Sequence, residues 1–120
     1  MKIAVSAQGR DLESPVDPRF GRARSFVVFD TETEQTIALD NQVNLNAMQG
    51  AGIQAARAVT GLGVSVVITG NIGPKAFAAL EAGQVAVYSG AAGTVRQAIE
   101  AFQAGRLHPA QRANVEGHWA

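Results

Sequence analysis

Cysteine is absent from the 120 residues, and with it go disulfide staples, zinc knuckles and thiolate-held iron-sulfur clusters. A metal species, if bound, has to be held by His, by carboxylate, or by hydrogen bonds and charges around it. Histidine is scarce: His108 and His118 both follow the last helical segment. Either is a candidate metal ligand, and any His-based site would have to be assembled from the end of the chain. Excess charge of one sign is missing, because ten Lys and Arg balance ten Asp and Glu. That removes the broad positive field on which nonspecific nucleic-acid or membrane-surface binding relies, so recognition by charge has to be local. No apolar run exceeds strand length, far below the roughly 20 residues of a membrane span. The opening MKIAVSAQG turns polar too early for a signal-peptide core. The expectation is a soluble cytoplasmic protein with neither nucleic acid nor membrane as partner. Carboxylates converging from strand ends, which two-metal nuclease chemistry requires, are not in evidence: the first strand has none, and Asp30 and Asp40 sit at turn positions.

What is present is a chain long enough for one hydrophobic core, with one domain expected over residues 1–107 and a C-terminal tail over 108–120. Alanine and glycine are abundant and aromatics few, which suits helices lying close against a sheet. Lys2 to Ser6 reads as an apolar strand. SFVVFD (25–30) and QTIALD (35–40) read as two strands of a hairpin joined by the polar turn TETE. From Gly50 onward the pattern alternates between helical and strand periods: GAGIQAARAVTGLG, VSVVITG, GPKAFAALEAG, QVAVYSG, GTVRQAIEAFQAG. This order predicts βα units feeding a parallel sheet. Pro74 after Gly73 opens one helix and Gly83 closes it. Thr94 with Gln97 predicts a capping box for the last helix, whose buried face is Val95, Ala98, Ile99 and Phe102. For the first helix the expected stripe is Ile53, Ala56 and Val59 or Thr60.

Two features could carry chemistry. The turns Gly70-Asn71-Ile72-Gly73 and Gly90-Ala91-Ala92-Gly93 repeat 20 residues apart, each between a strand and a helix. They place glycine-hinged backbone amides and helix N-termini at the carboxyl edge of the parallel strands, where open α/β sheets bind ligands. Neither turn matches a dinucleotide or P-loop pattern, and tight βα turns alone would also call for such glycines. The second feature is DPRFGRA (17–23), in which Arg19 and Arg22 flank Phe20-Gly21, with Arg24 and Arg10 nearby. Guanidinium groups suit bidentate recognition of carboxylate or phosphate-type oxygens. The competing reading pairs them with Asp11, Glu13 and Asp17 on a solvated loop, with Phe20 plugging the core and Gly21 turning the chain.

Taken as a set, MKIAVS, the DxxFGRAxxF stretch from Asp17 to Phe26, Asn41, GAGIQAA (50–56), GVSVVITGNIGPKA (63–76) and VYSGAAGTVRQAI (87–99) resemble the dinitrogenase iron-molybdenum cofactor biosynthesis family. That family includes NifX, the C-terminal part of NifB and small stand-alone relatives. The resemblance spans about residues 2 to 107. It implies an α/β, RNase H-like three-layer fold, with a five-stranded mixed sheet of order 3-2-1-4-5, strand 2 antiparallel, and three helices. It further implies a noncatalytic carrier that binds the iron-molybdenum cofactor, its iron-sulfur precursor or a related metal-sulfur anion and exchanges it with cofactor-assembly proteins. The implied site is Arg19, Phe20, Gly21, Arg22 and Asn41 on one wall and Gly70, Asn71, Gly73, Gly90, Gly93 and Thr94 on the other. Cofactor-binding members carry a His immediately before the Phe-Gly, where this sequence has Arg19, so the implied contact at that position is anion recognition and not a histidine-to-metal bond. The alternative from the same fold is a regulatory or protein-interaction module whose arginines meet an acidic partner.

Overall fold

The computed structural model describes residues 1–41 and 50–114. Its frame is a five-stranded sheet of β1 (Lys2–Ala7), β2 (Ser25–Asp30), β3 (Thr36–Asp40), β4 (Val66–Ile68) and β5 (Ala86–Tyr88), in the order β3-β2-β1-β4-β5. β1 and β2 pair antiparallel, as do β2 and β3, while β1, β4 and β5 run parallel. The described helices are α1 (Ala51–Gly61), α2 (Pro74–Ala82) and α3 (Val95–Gln103). This is the mixed α/β sheet expected from the sequence, with the hairpin at one side and the βα units at the other.

Alternation along the strands decides which layer each side chain joins. Ala4, Phe26, Val28, Val67 and Val87 face α1 and α2, together with Phe20 and Ile72 from the loops. Ile3, Val5, Val27, Val66 and Ile68 face Val95, Ala98 and Ile99 of α3. Each strand residue therefore switches layer from its neighbour, as the pleat requires, and both faces of β1 are covered. Burial of the Val, Ile and Phe side chains among these stabilises by about 1.5–3 kcal/mol each.

On α1 the expected stripe holds at Ala56 and Val59 and is corrected at Ile53. Its buried residues are Ala51, Ala55, Ala56 and Val59, whereas Ile53 is only half-buried. The cause is the close approach of α1 to α2: a Cβ on Gly52 would lie 2.9 Å from Ala76 Cβ. Only small side chains fit that seam, so the alanine face turns inward. On α3 the capping box is present, with Gln97 N donating to Thr94 Oγ1 at 3.1 Å and Thr94 N donating to Gln97 Oε1 at 3.0 Å. Phe102 is half-buried there, its ring edge-on to Tyr88 at 4.9 Å. Asp30 ends β2 with its carboxylate accepting from Glu32 N at 2.9 Å, and that bond holds its pKa below the usual carboxylate value.

Candidate functional site

The carboxyl ends of β1 and β4 meet in a small buried polar cluster. Ser6 Oγ lies 2.8 Å from both the Asp17 carbonyl and Thr69 Oγ1, with Ser6 and Thr69 fully buried. Asp17 N donates to Ser6 O at 2.8 Å, so the long connection from β1 to β2 doubles back over the strand end that it has just left. Its two halves then diverge. Residues 12–16 run along the start of α3, and residues 17–22 run along the turn between β4 and α2.

The first half closes off α3. Val95 N donates to Ser14 O at 2.9 Å and Arg96 N to Leu12 O at 2.8 Å, while Val16 N donates to Gly93 O at 2.9 Å. With Gln97 N bonded to Thr94, the leading amides of this helix are consumed by the protein itself and are not offered to an anion. Arg96 Nε and Glu13 Oε1, 2.6 Å apart on the surface, tie the same two segments and raise the arginine's pKa above its ordinary value. Gly93 and Thr94 therefore work as supports for α3.

The second half carries the arginines. Phe20 N donates to Asn71 O at 3.1 Å and Asn71 Nδ2 to Pro18 O at 2.9 Å, pairing Arg19 with Asn71 as a short parallel bridge. Gly70 permits this approach, because a Cβ there would stand 2.8 Å from Pro18 Cα and 2.9 Å from its carbonyl oxygen. Phe20 is fully buried with its ring centroid 5.1 Å from that of Phe26, so it anchors the segment from beneath and presents nothing to a ligand. Gly21 is buried beside it. Asn41, 3% exposed, donates through Nδ2 to Gly21 O at 3.1 Å and Ala23 O at 2.7 Å. Its role is to clamp the turn that follows Phe20.

Arg19 is the exposed product of this scaffolding. Its side chain is 42% exposed, with Nε 3.7 Å from Asp17 Oδ1. The firmer bond of that carboxylate is to the Arg19 backbone amide, at 3.0 Å. A pair that long and that exposed holds the guanidinium by less than about 1 kcal/mol, which leaves it able to turn to another anion. Arg22, half-buried, follows two residues beyond the Phe20 anchor. On the other wall Gly73 opens α2 with no side-chain cap, and Gly90 lies exposed at the tip of the second turn with φ +82°. Gly90 N and Ala91 N are spent on Gly70 O at 2.8 Å and Thr69 O at 3.2 Å, which lock the two turns together.

The structure thus brings Arg19, Asn71, Gly70 and Gly90 to one rim and gives Phe20, Gly21, Asn41, Gly93 and Thr94 supporting roles. His108 is exposed beside β5, and His118 lies outside the described residues. Among the described residues no three His, Cys, Asp or Glu side chains gather as a metal site, and no described helix is long and apolar enough to cross a membrane. A hollow of about 310 Å³ between α2, β5 and Pro109-Ala110 contains none of the residues expected from the sequence. Sequence reasoning missed Ser6, Thr69 and Asn114. Asn114 donates to Asn71 Oδ1 at 3.1 Å from the far end of the chain, and no local pattern announces it.

Three comparisons place this geometry. The family profile described as "Dinitrogenase iron-molybdenum cofactor" matches residues 1–105. The apo form of the orange protein from Desulfovibrio gigas is 43% identical, with 95% of this chain and 96% of that one covered and a TM-score of 0.93. A Thermotoga protein provisionally assigned as NifB, solved by NMR, is 35% identical over 97% of this chain and 98% of its own, with a TM-score of 0.84. An uncharacterized protein of Methanocaldococcus jannaschii is 29% identical over 110 residues, 89% of each chain. The shared fold, the strand order and a match that runs through every segment of the rim up to residue 105 lead to one conclusion: this chain belongs to the dinitrogenase iron-molybdenum cofactor family.

Proposed function

We propose that the protein is a noncatalytic carrier whose cargo is the iron-molybdenum cofactor, its iron-sulfur precursor or a related metal-sulfur anion. It would exchange that cargo with cofactor-assembly proteins in the cytoplasm. The observation that carries this reading is the junction of the Arg19 segment with the turn at Asn71, which sets a loosely paired guanidinium on the carboxyl rim of β1 and β4. Family membership and the likeness to a protein solved in its apo form support it.

The chemistry of exchange follows from what holds the cargo. A metal-sulfur cluster bearing carboxylates is a bulky anion. Arginines grip such an anion through charge-assisted hydrogen bonds that form and break without ligand substitution at a metal, whereas thiolates would release it slowly. Asp17 adds a counterweight. Its carboxylate shapes the Arg19 backbone and competes weakly for the side chain.

The test is anaerobic reconstitution of the purified protein with the iron-molybdenum cofactor or its iron-sulfur precursor. Charge-transfer absorbance should co-elute with the wild type. In an Arg19→Ala, Arg22→Ala double variant affinity should fall by roughly tenfold or more, and wild-type binding should weaken as salt is raised. Equal loading of wild type and double variant would remove the arginine rim from the site.

A further inference from the structure

The chain does not leave the domain after α3. Residues 106–114 turn back across the outer edge of the sheet: Ala110 N donates to Val87 O at 2.7 Å, and Pro109 bridges Tyr88. Asn114 then reaches the turn between β4 and α2. Its backbone N donates to Ile72 O at 3.2 Å and its Oδ1 accepts from Ile72 N at 2.7 Å, so one residue satisfies both backbone groups of Ile72. Its Nδ2 donates to Asn71 Oδ1 at 3.1 Å and to Gly70 O at 3.4 Å.

These bonds fix the direction of a relay. Asn71 Oδ1 accepts from Asn114, so Asn71 Nδ2 must face the Pro18 carbonyl, as it does at 2.9 Å. Turning either amide over would set acceptor against acceptor or donor against donor. Asn71 also holds Phe20 N through its carbonyl. The path from Asn114 to the Arg19 segment is thus continuous: Asn114 to Asn71, and Asn71 to Pro18 and Phe20. The apolar hold on residues 106–114 is slight, since its contributors to the core are Leu107, Ala110 and Ala113, none of them fully buried. Little burial opposes the entropy of ordering such a segment, so its hydrogen bonds decide whether it stays down.

We infer that residues 106–114 are a strap and that Asn114 is a positioning residue for the anion-binding rim. With the strap down, Asn71 is held on both sides and sets the Arg19 segment. With the strap up, Asn71 keeps only the Pro18 side and the segment loosens. An anion that binds the set rim draws the strap down, and by the same coupling anything that lifts the strap weakens the anion's hold. This inference rests on the reading of the rim as a binding site given above.

The experiment compares full-length wild type, Asn114→Ala and Asn114→Asp by amide hydrogen exchange, with the buried β4 amide of Val67 as a reference for global opening. In Asn114→Ala the exchange of Ile72 and Phe20 should rise about tenfold relative to Val67. Asn114→Asp keeps the acceptor for Ile72 N and loses the donor to Asn71, so Phe20 should exchange faster while Ile72 stays protected. Affinity for the iron-sulfur precursor should fall about tenfold in the Ala variant. If Phe20 follows Val67 in both variants, Asn114 is structural only and the strap does not set the segment. If the wild type binds no precursor, the ligand reading of the rim is what fails, and the exchange ratios still decide the strap.

Discussion

The two G-x-x-G turns are near copies in sequence and opposites in structure. At 70–73 the first glycine is buried, its backbone needs no left-handed conformation, and the space where a side chain would go is filled by Pro18. At 90–93 both glycines have φ above +80°, and nothing stands within 4 Å of a Cβ on Gly90. The first turn needs glycine because another loop must pass close by; the second needs it because its own backbone bends the wrong way for other residues. The helices that follow differ in the same sense. α3 has a capping box and loop carbonyls on its leading amides, while α2 starts from Gly73 with no side-chain cap. A repeated motif therefore marks a shared place between strand and helix, not a shared backbone conformation or a shared task.

The largest effect is expected from Gly70→Ala. The added methyl would overlap Pro18 backbone, which cannot swing aside, so about 1–3 kcal/mol of stability should be lost in urea denaturation. Phe20 N should exchange faster because the loop is pushed from Asn71. An unchanged midpoint would mean that the loops do not touch in solution. Gly90→Ala should cost less, about 1 kcal/mol, entirely from the strain of a left-handed Ala, and should leave Phe20 exchange as it was. A larger loss than at Gly70 would reverse the assignment of the two turns. Smallest is Thr94→Ala, expected at about 1 kcal/mol or below with Thr94→Ser close to wild type; if Ser fails to restore stability, the hydroxyl cap is not what supports α3.

Much of this architecture was legible. Alternation in SFVVFD and the polar TETE turn forecast the hairpin, the βα periodicity forecast β4 and β5, and Pro74 and the Thr94-Gln97 pair marked helix starts that lie where expected. These are contacts between residues a few positions apart, and local chemistry governs them. Phe20 as a core plug is one of two readings that DPRFGRA allows for that residue, and its full burial selects between them. What could not be read depends on distance through space. The sequence does not reveal that Pro18 lies over Gly70, which gives that glycine a packing reason the motif alone does not supply. Asn41 enters through the family resemblance, and its bonds to the carbonyls of Gly21 and Ala23, some twenty positions away, are not legible in the sequence. On α1 Ala56 and Val59 are buried as expected and Ile53 is not, because hydrophobicity favours Ile53 while the narrow seam with Ala76 favours alanine.

The antiparallel pairing of β1 with β2 has one more consequence. Ala7 stands opposite Ser25, so the sheet pins both ends of the connection over residues 8–24 on adjacent strands, roughly 5 Å apart. Between those feet the connection is tied to α3 and plugged into the core at Phe20, so it is free to vary only where its side chains reach solvent, as at Arg10 and Arg24. On a scaffold wired this way the charge along one rim can change while the strand order beneath it stays the same.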